Sequence, residues 1–211
     1  MTVAEDFVLL TLNEVDGSWL VGNVHLECGV AAAVLVELVA AGRIAVDSVA
    51  VVVRDAAPTG LATEDVALAS IAAQDVHDPQ WWVSALRRGS AESVLAQLVA
   101  CGAVTEQRVR WLVFFSQLRH PPADPAARRL VCERLSAVLA GGPADVRNLA
   151  LLAIVHATGL SSTLFPGTDP ADIERRIDEA GVGPVADALV KVIRQVLAAV
   201  LALLAASAAA M

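Results

Sequence analysis

Residues 29–44, GVAAAVLVELVAAGRI, read as a helix that stops at a glycine, and the same punctuation recurs along the chain. Gly29 to Ala41 sets Val30, Val34, Leu38 and Ala41 on one stripe at helical spacing. Gly42 follows, placed to take the left-handed conformation that closes a helix. Asp124-Pro125 and Asp169-Pro170 each pair an N-cap acceptor with proline at the first helical position, and the helices they open run to Gly141 and Gly181. Gly159 closes a helix that begins near Ala144, and Thr63 caps one whose first turn, Glu64 and Asp65, complements the helix dipole. Only Ile44–Val53 and Val109–Phe115 read as strands. Leu35–Val46 (LVELVAAGRIAV) is echoed by Val94–Glu106 (VLAQLVACGAVTE), so a degenerate helix-to-hairpin repeat is expected. The fold class is therefore mainly α, a single compact helical domain over residues 1–211 with one or two small β-hairpins.

Composition agrees with packed helices. The chain has 211 residues, 56% hydrophobic and 18% charged, with Ala, Val and Leu supplying most of the apolar content. Gln195–Met211 carries no charge, but its 17 residues fall short of the roughly 20 a membrane span needs, and about half are Ala. It reads as a packed terminal helix. The opening MTVAED has no basic region or cleavage site of a signal peptide, so a cytoplasmic location is expected. Three widely spaced cysteines, Cys28, Cys101 and Cys132, form no disulfide framework and read as buried thiols. One lysine against fourteen arginines, with no tyrosine, looks like a GC-rich bacterial genome.

Charge is segregated. Residues 1–86 hold twelve acids and two arginines, a net of −10, whereas residues 87–147 hold five acids and nine arginines, a net of +4. The basic middle is the expected contact for an anionic surface. Its arginines flank Trp111, Leu112, Val113, Phe114 and Phe115, and arginine beside inserted aromatics suits docking on anionic lipid heads. The bland alternative is a buried strand between solvated helix faces.

Little points to catalysis. His25 and Cys28 make one imperfect metal-ligand pair, so no metal site is expected. His156 lies on an apolar helix and reads as a core histidine. The sequence has no nucleophile elbow, no phosphate-binding glycine loop and no paired carboxylates, so no enzyme and no cofactor are expected.

Four blocks, Phe7–Leu12 (FVLLTL), Gly29–Ile44, Ala57–Gly60 (APTG) and Leu149–Phe165 (LALLAIVHATGLSSTLF), resemble in order and spacing the Golgi phosphoprotein 3 family. That resemblance implies a non-catalytic peripheral membrane adaptor binding phosphatidylinositol 4-phosphate or another anionic headgroup. It implies a membrane-inserting hairpin at Trp111–Phe115. In the family one Trp and three Arg hold the headgroup, since guanidinium forks match phosphate oxygens. Laid on this sequence without gaps, the arginine positions fall on Ala31, Arg88 and Ala91, and the Trp position on Gly22. Arg88 matches, with Arg87 and Trp19 as neighbouring substitutes. Two missing arginines remove charge-assisted hydrogen bonds worth roughly 1.5 to 3 kcal/mol each, so contact with anionic lipid looser than specific phosphoinositide binding is expected. Protein cargo and a homo-oligomer stay open as partners. A soluble interaction scaffold is one alternative function. A winged-helix-like DNA regulator is another, disfavoured by the net of −10 over the segment that would face phosphates.

Overall fold

The computed structural model describes residues 1–112, 115–179 and 184–209, with the backbone alone for 109–112, 115–117 and 184–190. The chain order is α1 (Val3–Thr11), α2 (Asn23–Ala40), β1 (Ile44–Val46), β2 (Val51–Val53), α3 (Ala62–Ala72), α4 (Pro79–Leu86) and α5 (Ser90–Ala100). There follow β3 (Gln107–Leu112), β4 (Phe115–Arg119), α6 (Pro125–Leu139), α7 (Val146–Ala157), the short α8 (Ser161–Leu164), α9 (Pro170–Glu179) and α10 (Pro184–Ala209). The fold is mainly α, with two antiparallel strand pairs among the described residues.

The centre is α2. It begins at Asn23, six residues before the expected start, and α1, α3, α4, α5, α7 and α10 pack around it. Gly29 makes the closest approach: a Cβ there would lie 2.4 Å from the Phe7 ring of α1, so only glycine lets the two helices meet. One face of α10, with Ile193, Val196 and Val200, covers α2, α4 and α7, while Leu201 and its neighbours on the other face are exposed. Only a third of Lys191–Ala209 is buried, so the expected packed terminal helix is packed along one side.

The helix-to-hairpin repeat is present in the backbone. Gly42 N–H donates to Val39 O and Arg43 N–H to Leu38 O, and the same pair of bonds recurs from Gly102 to Val99 and from Ala103 to Leu98. Both glycines have positive φ, +69° and +76°. A hairpin follows each. Residues 44–53 are thus two strands rather than the one expected, because Asp47 accepts from the Val49 and Ala50 N–H groups and turns the chain. Likewise 109–115 spans β3 and β4, closing at the Leu112–Phe115 pair.

Asp124, Asp145 and Asp169 accept from backbone N–H groups at the starts of α6, α7 and α9. The expected end of α9 at Gly181 lies outside the described residues. Thr63 is not a cap. It sits inside α3, its hydroxyl 3.0 Å from Ser93 Oγ and accepting from Gln97 Nε2 at 2.7 Å. Asp65 instead reaches back to Thr59 and Gly60 N–H, pinning the APTG loop, whose Pro58 O also accepts from Arg43.

The thiols and His156 differ from expectation. Cys28 is buried and its thiol is pushed up by burial, but Cys101 is exposed and Cys132 half-buried; all three are free. His156 faces Glu174 of α9 at 3.4 Å, at the edge of the core rather than within it.

Candidate functional site

The fold largely neutralises the basic middle of the chain. Arg87 pairs with Glu27 at 3.2 Å, Arg119 with Asp16 at 3.3 Å, Arg128 with Glu14 at 2.5 Å, Arg134 with Asp6 at 2.5 Å and Arg147 with Glu37 at 2.8 Å. Every partner lies in the acidic first segment. The segregated charges are therefore largely two halves of an internal seam, and the broad basic surface expected from sequence shrinks to Arg88, Arg108 and Arg129 among the described side chains.

Arg88 has a setting that Arg108 and Arg129 lack. It is exposed at the mouth of a cavity of about 230 Å³ between α2, α3 and the α4–α5 turn, and no acid among the described residues pairs with it. Gly89, at φ +78°, turns the chain from Arg88 directly into α5, whose eleven residues give the first N–H groups a positive end. The hydroxyls of Ser90 and Ser93 of α5 and Thr63 and Ser70 of α3 lie to one side but are engaged within the protein, Ser90 donating to Arg87 O, Ser70 to Val66 O, and Thr63 and Ser93 bonding each other. Ala31 and Val34 of α2, Val66 and Ala67 of α3, and Ala85 and Leu86 of α4 form the apolar remainder. A guanidinium and a helix N-terminus facing one small cavity with apolar walls suit an anionic group that carries apolar substance behind it.

The expected site residues divide. Ala31 and Arg88, two of the positions that the family resemblance would fill with arginine, do line this one cavity. Ala91 is buried beside it without lining it. Arg87 turns away to Glu27 on α2. Trp19 is elsewhere: its backbone bridges Leu12 and its ring lies 6.4 Å from His120, at the foot of the β3–β4 hairpin. So neither Arg87 nor Trp19 joins Arg88.

The β3–β4 hairpin is anchored at its base and packs chiefly on itself. Gly17, at φ +63°, lies so close to His120 and Pro121 that a Cβ would meet their backbone at 2.2 to 2.6 Å. Thr105 N–H donates to Pro121 O, and Arg119 pairs with Asp16. Beyond this base Gln107 and Arg108 are exposed, as is Leu118 at 46%. Of the expected inserting run, Trp111, Leu112 and Phe115 are strand residues described by backbone alone, and Val113 and Phe114 lie outside the described residues.

Sequence reasoning missed one constellation. Glu37 of α2 and Glu64 of α3 line one cavity behind the α3 wall, each with a buried Oε2 that has no partner, neighbouring carboxyls where none were expected. They stand 27 positions apart in sequence with the β1–β2 hairpin between them, and no spacing rule joins such positions. Among the described residues no three His, Cys, Asp or Glu side chains converge to hold a metal.

The family model described as Golgi phosphoprotein 3 (GPP34) matches residues 3–196. No curated protein matches the chain.

Proposed function

The chain belongs to the Golgi phosphoprotein 3 family, and from that membership we propose that it is a non-catalytic peripheral adaptor that docks on anionic lipid at the inner face of a membrane. Arg88 and the start of α5 receive the headgroup phosphate, and the β3–β4 hairpin enters the interface. One observation carries this reading: while five arginines of the basic segment are neutralised internally, Arg88 is left uncommitted at the mouth of a cavity.

The cavity is small and holds one guanidinium where the family resemblance implies three. It therefore favours the phosphate common to anionic lipids over a headgroup read by several forks. Affinity comes from adding a modest electrostatic contact to apolar insertion, since neither alone anchors a protein firmly.

Sedimentation with phosphatidylcholine vesicles, with and without phosphatidylserine, tests the reading. Wild type should pellet with the anionic vesicles only, and Arg88→Glu should lose about tenfold in affinity at an unchanged melting temperature. Equal pelleting by wild type and Arg88→Glu would refute the headgroup role.

A further inference from the structure

Glu64 lies in the first turn of α3 and is 2% exposed, among the most buried acids of the described chain. Its Oε2 has no hydrogen-bond partner, and neither has Oε2 of Glu37. Ionised carboxylates can only accept, so two such oxygens on side chains that line one cavity are a standing cost. One proton between them removes it, giving the pair a donor and satisfying both atoms at once.

We propose that Glu37 and Glu64 share a single proton at neutral pH and that this proton fastens the first turn of α3 to α2, so that its loss releases the turn.

The surrounding charges allow one carboxylate here and not two. Glu37 Oε1 accepts from Val3 N–H at 2.7 Å and from Arg147 Nη2 at 2.8 Å, so α7 brings one cation and Glu37 already uses it. From α1 the facing group is Glu5, another acid, itself tied to the Thr2 N–H. From α5 come Ser93 and Gln97, neutral and engaged with Thr63. β2 offers only valines. Burial first, and then the hydrogen bond and charge of Glu37, push the Glu64 carboxyl up to about 8. Glu37, Glu64 and Arg147 line one cavity of about 230 Å³ with Val3, Leu61 and Val146, and this space gives the turn room to move.

Release would be felt next door. Thr63, adjacent to Glu64, lines the Arg88 cavity, so the turn that the proton holds is also a wall of that cavity. The inference does not rest on the lipid reading, because every measurement below is made without lipid.

The sign follows from linkage. A carboxyl raised from an ordinary 4.5 stabilises the fold fully below 4.5; that contribution declines as pH rises and is gone above about 8. The ¹³C resonance of the Glu64 carboxyl in the intact chain should titrate near pH 8, whereas titration near 4.5 overturns the proposal. The melting temperature of wild type should fall between about pH 5 and 8, while Glu64→Gln, which keeps a donor and an acceptor, should lose that dependence; parallel profiles overturn it. Pulsed hydrogen exchange over residues 59–72 should match in the two proteins near pH 6 and be faster in wild type near pH 9. Should Glu64→Gln fail to fold, Glu37→Gln serves instead. With the second acid gone, the Glu64 resonance should titrate at lower pH, and an unmoved titration overturns the sharing.

Discussion

Arg134 Nη2 lies 2.5 Å from Asp6 Oδ2 across 128 residues of sequence, joining the middle of α6 to the first turn of α1. Asp6 is nearly buried, so removing the arginine strands a carboxylate in the protein, while Arg134 itself stays half in water and contributes less. Arg134→Gln should therefore destabilise the fold by about 1 kcal/mol in urea titration, and a double-mutant cycle with Asp6→Asn should return a favourable coupling.

Arg128 is the deeper member of the same seam, 9% exposed and donating both to Glu14 and to Leu10 O at 3.3 Å. Arg128→Met should cost about 2 kcal/mol, since it leaves a buried carbonyl unpaired as well as losing the ion pair. Raising the ionic strength should shrink the ion-pair share of that loss, because Glu14 is half exposed and open to screening, and leave the share from the unpaired carbonyl.

Gly29→Ala tests the contact between α1 and α2. The added methyl would meet Phe7 at 2.4 Å, inside any tolerable distance, so α1 must shift or the ring must leave its rotamer. A loss of about 1 to 3 kcal/mol is expected even though alanine is the better helix former. A neutral or stabilising result would show that α1 yields easily.

The APTG loop gives a pH prediction. Thr59, through its hydroxyl and N–H, and Gly60 N–H hold the Asp65 carboxyl below its ordinary value of 3.8. A depressed carboxyl stabilises above the ordinary pKa and loses that effect as pH falls through the folded one. Asp65→Asn should therefore flatten part of the acid limb below about pH 4 in thermal unfolding, without changing the profile near neutrality.

Much of this architecture is legible locally. An aspartate before proline opens α6 and α9 as read, and Gly42 closes α2 with the bonds its position implies. Local rules failed where a side chain chose a distant partner. Thr63, ahead of the acidic Glu64-Asp65 turn, reads as a cap, yet Ser93 and Gln97 draw its hydroxyl inward, and Asp65 secures the loop in its place. Asp47 bends what reads as one β-branched run into a hairpin. The charge segregation is plain in the sequence, but its meaning is not: arginines paired to acids 60 to 128 residues away look, along the chain, like an open basic surface. Arg88 could be singled out only by the family resemblance, and its cavity needed three elements brought together.

The hairpin can be tested by chemistry alone. If the hairpin enters the interface as proposed, Phe114→Ser with Phe115→Ser should abolish sedimentation with phosphatidylserine-containing vesicles and leave the melting temperature nearly unchanged, because interfacial burial of two phenylalanines would contribute at most roughly 3 to 6 kcal/mol to binding. A lower melting temperature with retained binding would instead assign the run to the core.

The central position of α2 also sets the order in which the molecule can be completed during synthesis. The helix that needs most covering lies within a stretch with an excess of ten negative charges, yet a principal cover, α10, is made only after every other described element that packs on it. The arginines that quench the early acids emerge only in the middle of translation. α1, α3, α4 and α5 can cover α2 as they emerge, but the faces that α7 and α10 take stay apolar and uncovered until those helices are made, a vectorial hazard that helix-rich topology by itself does not remove.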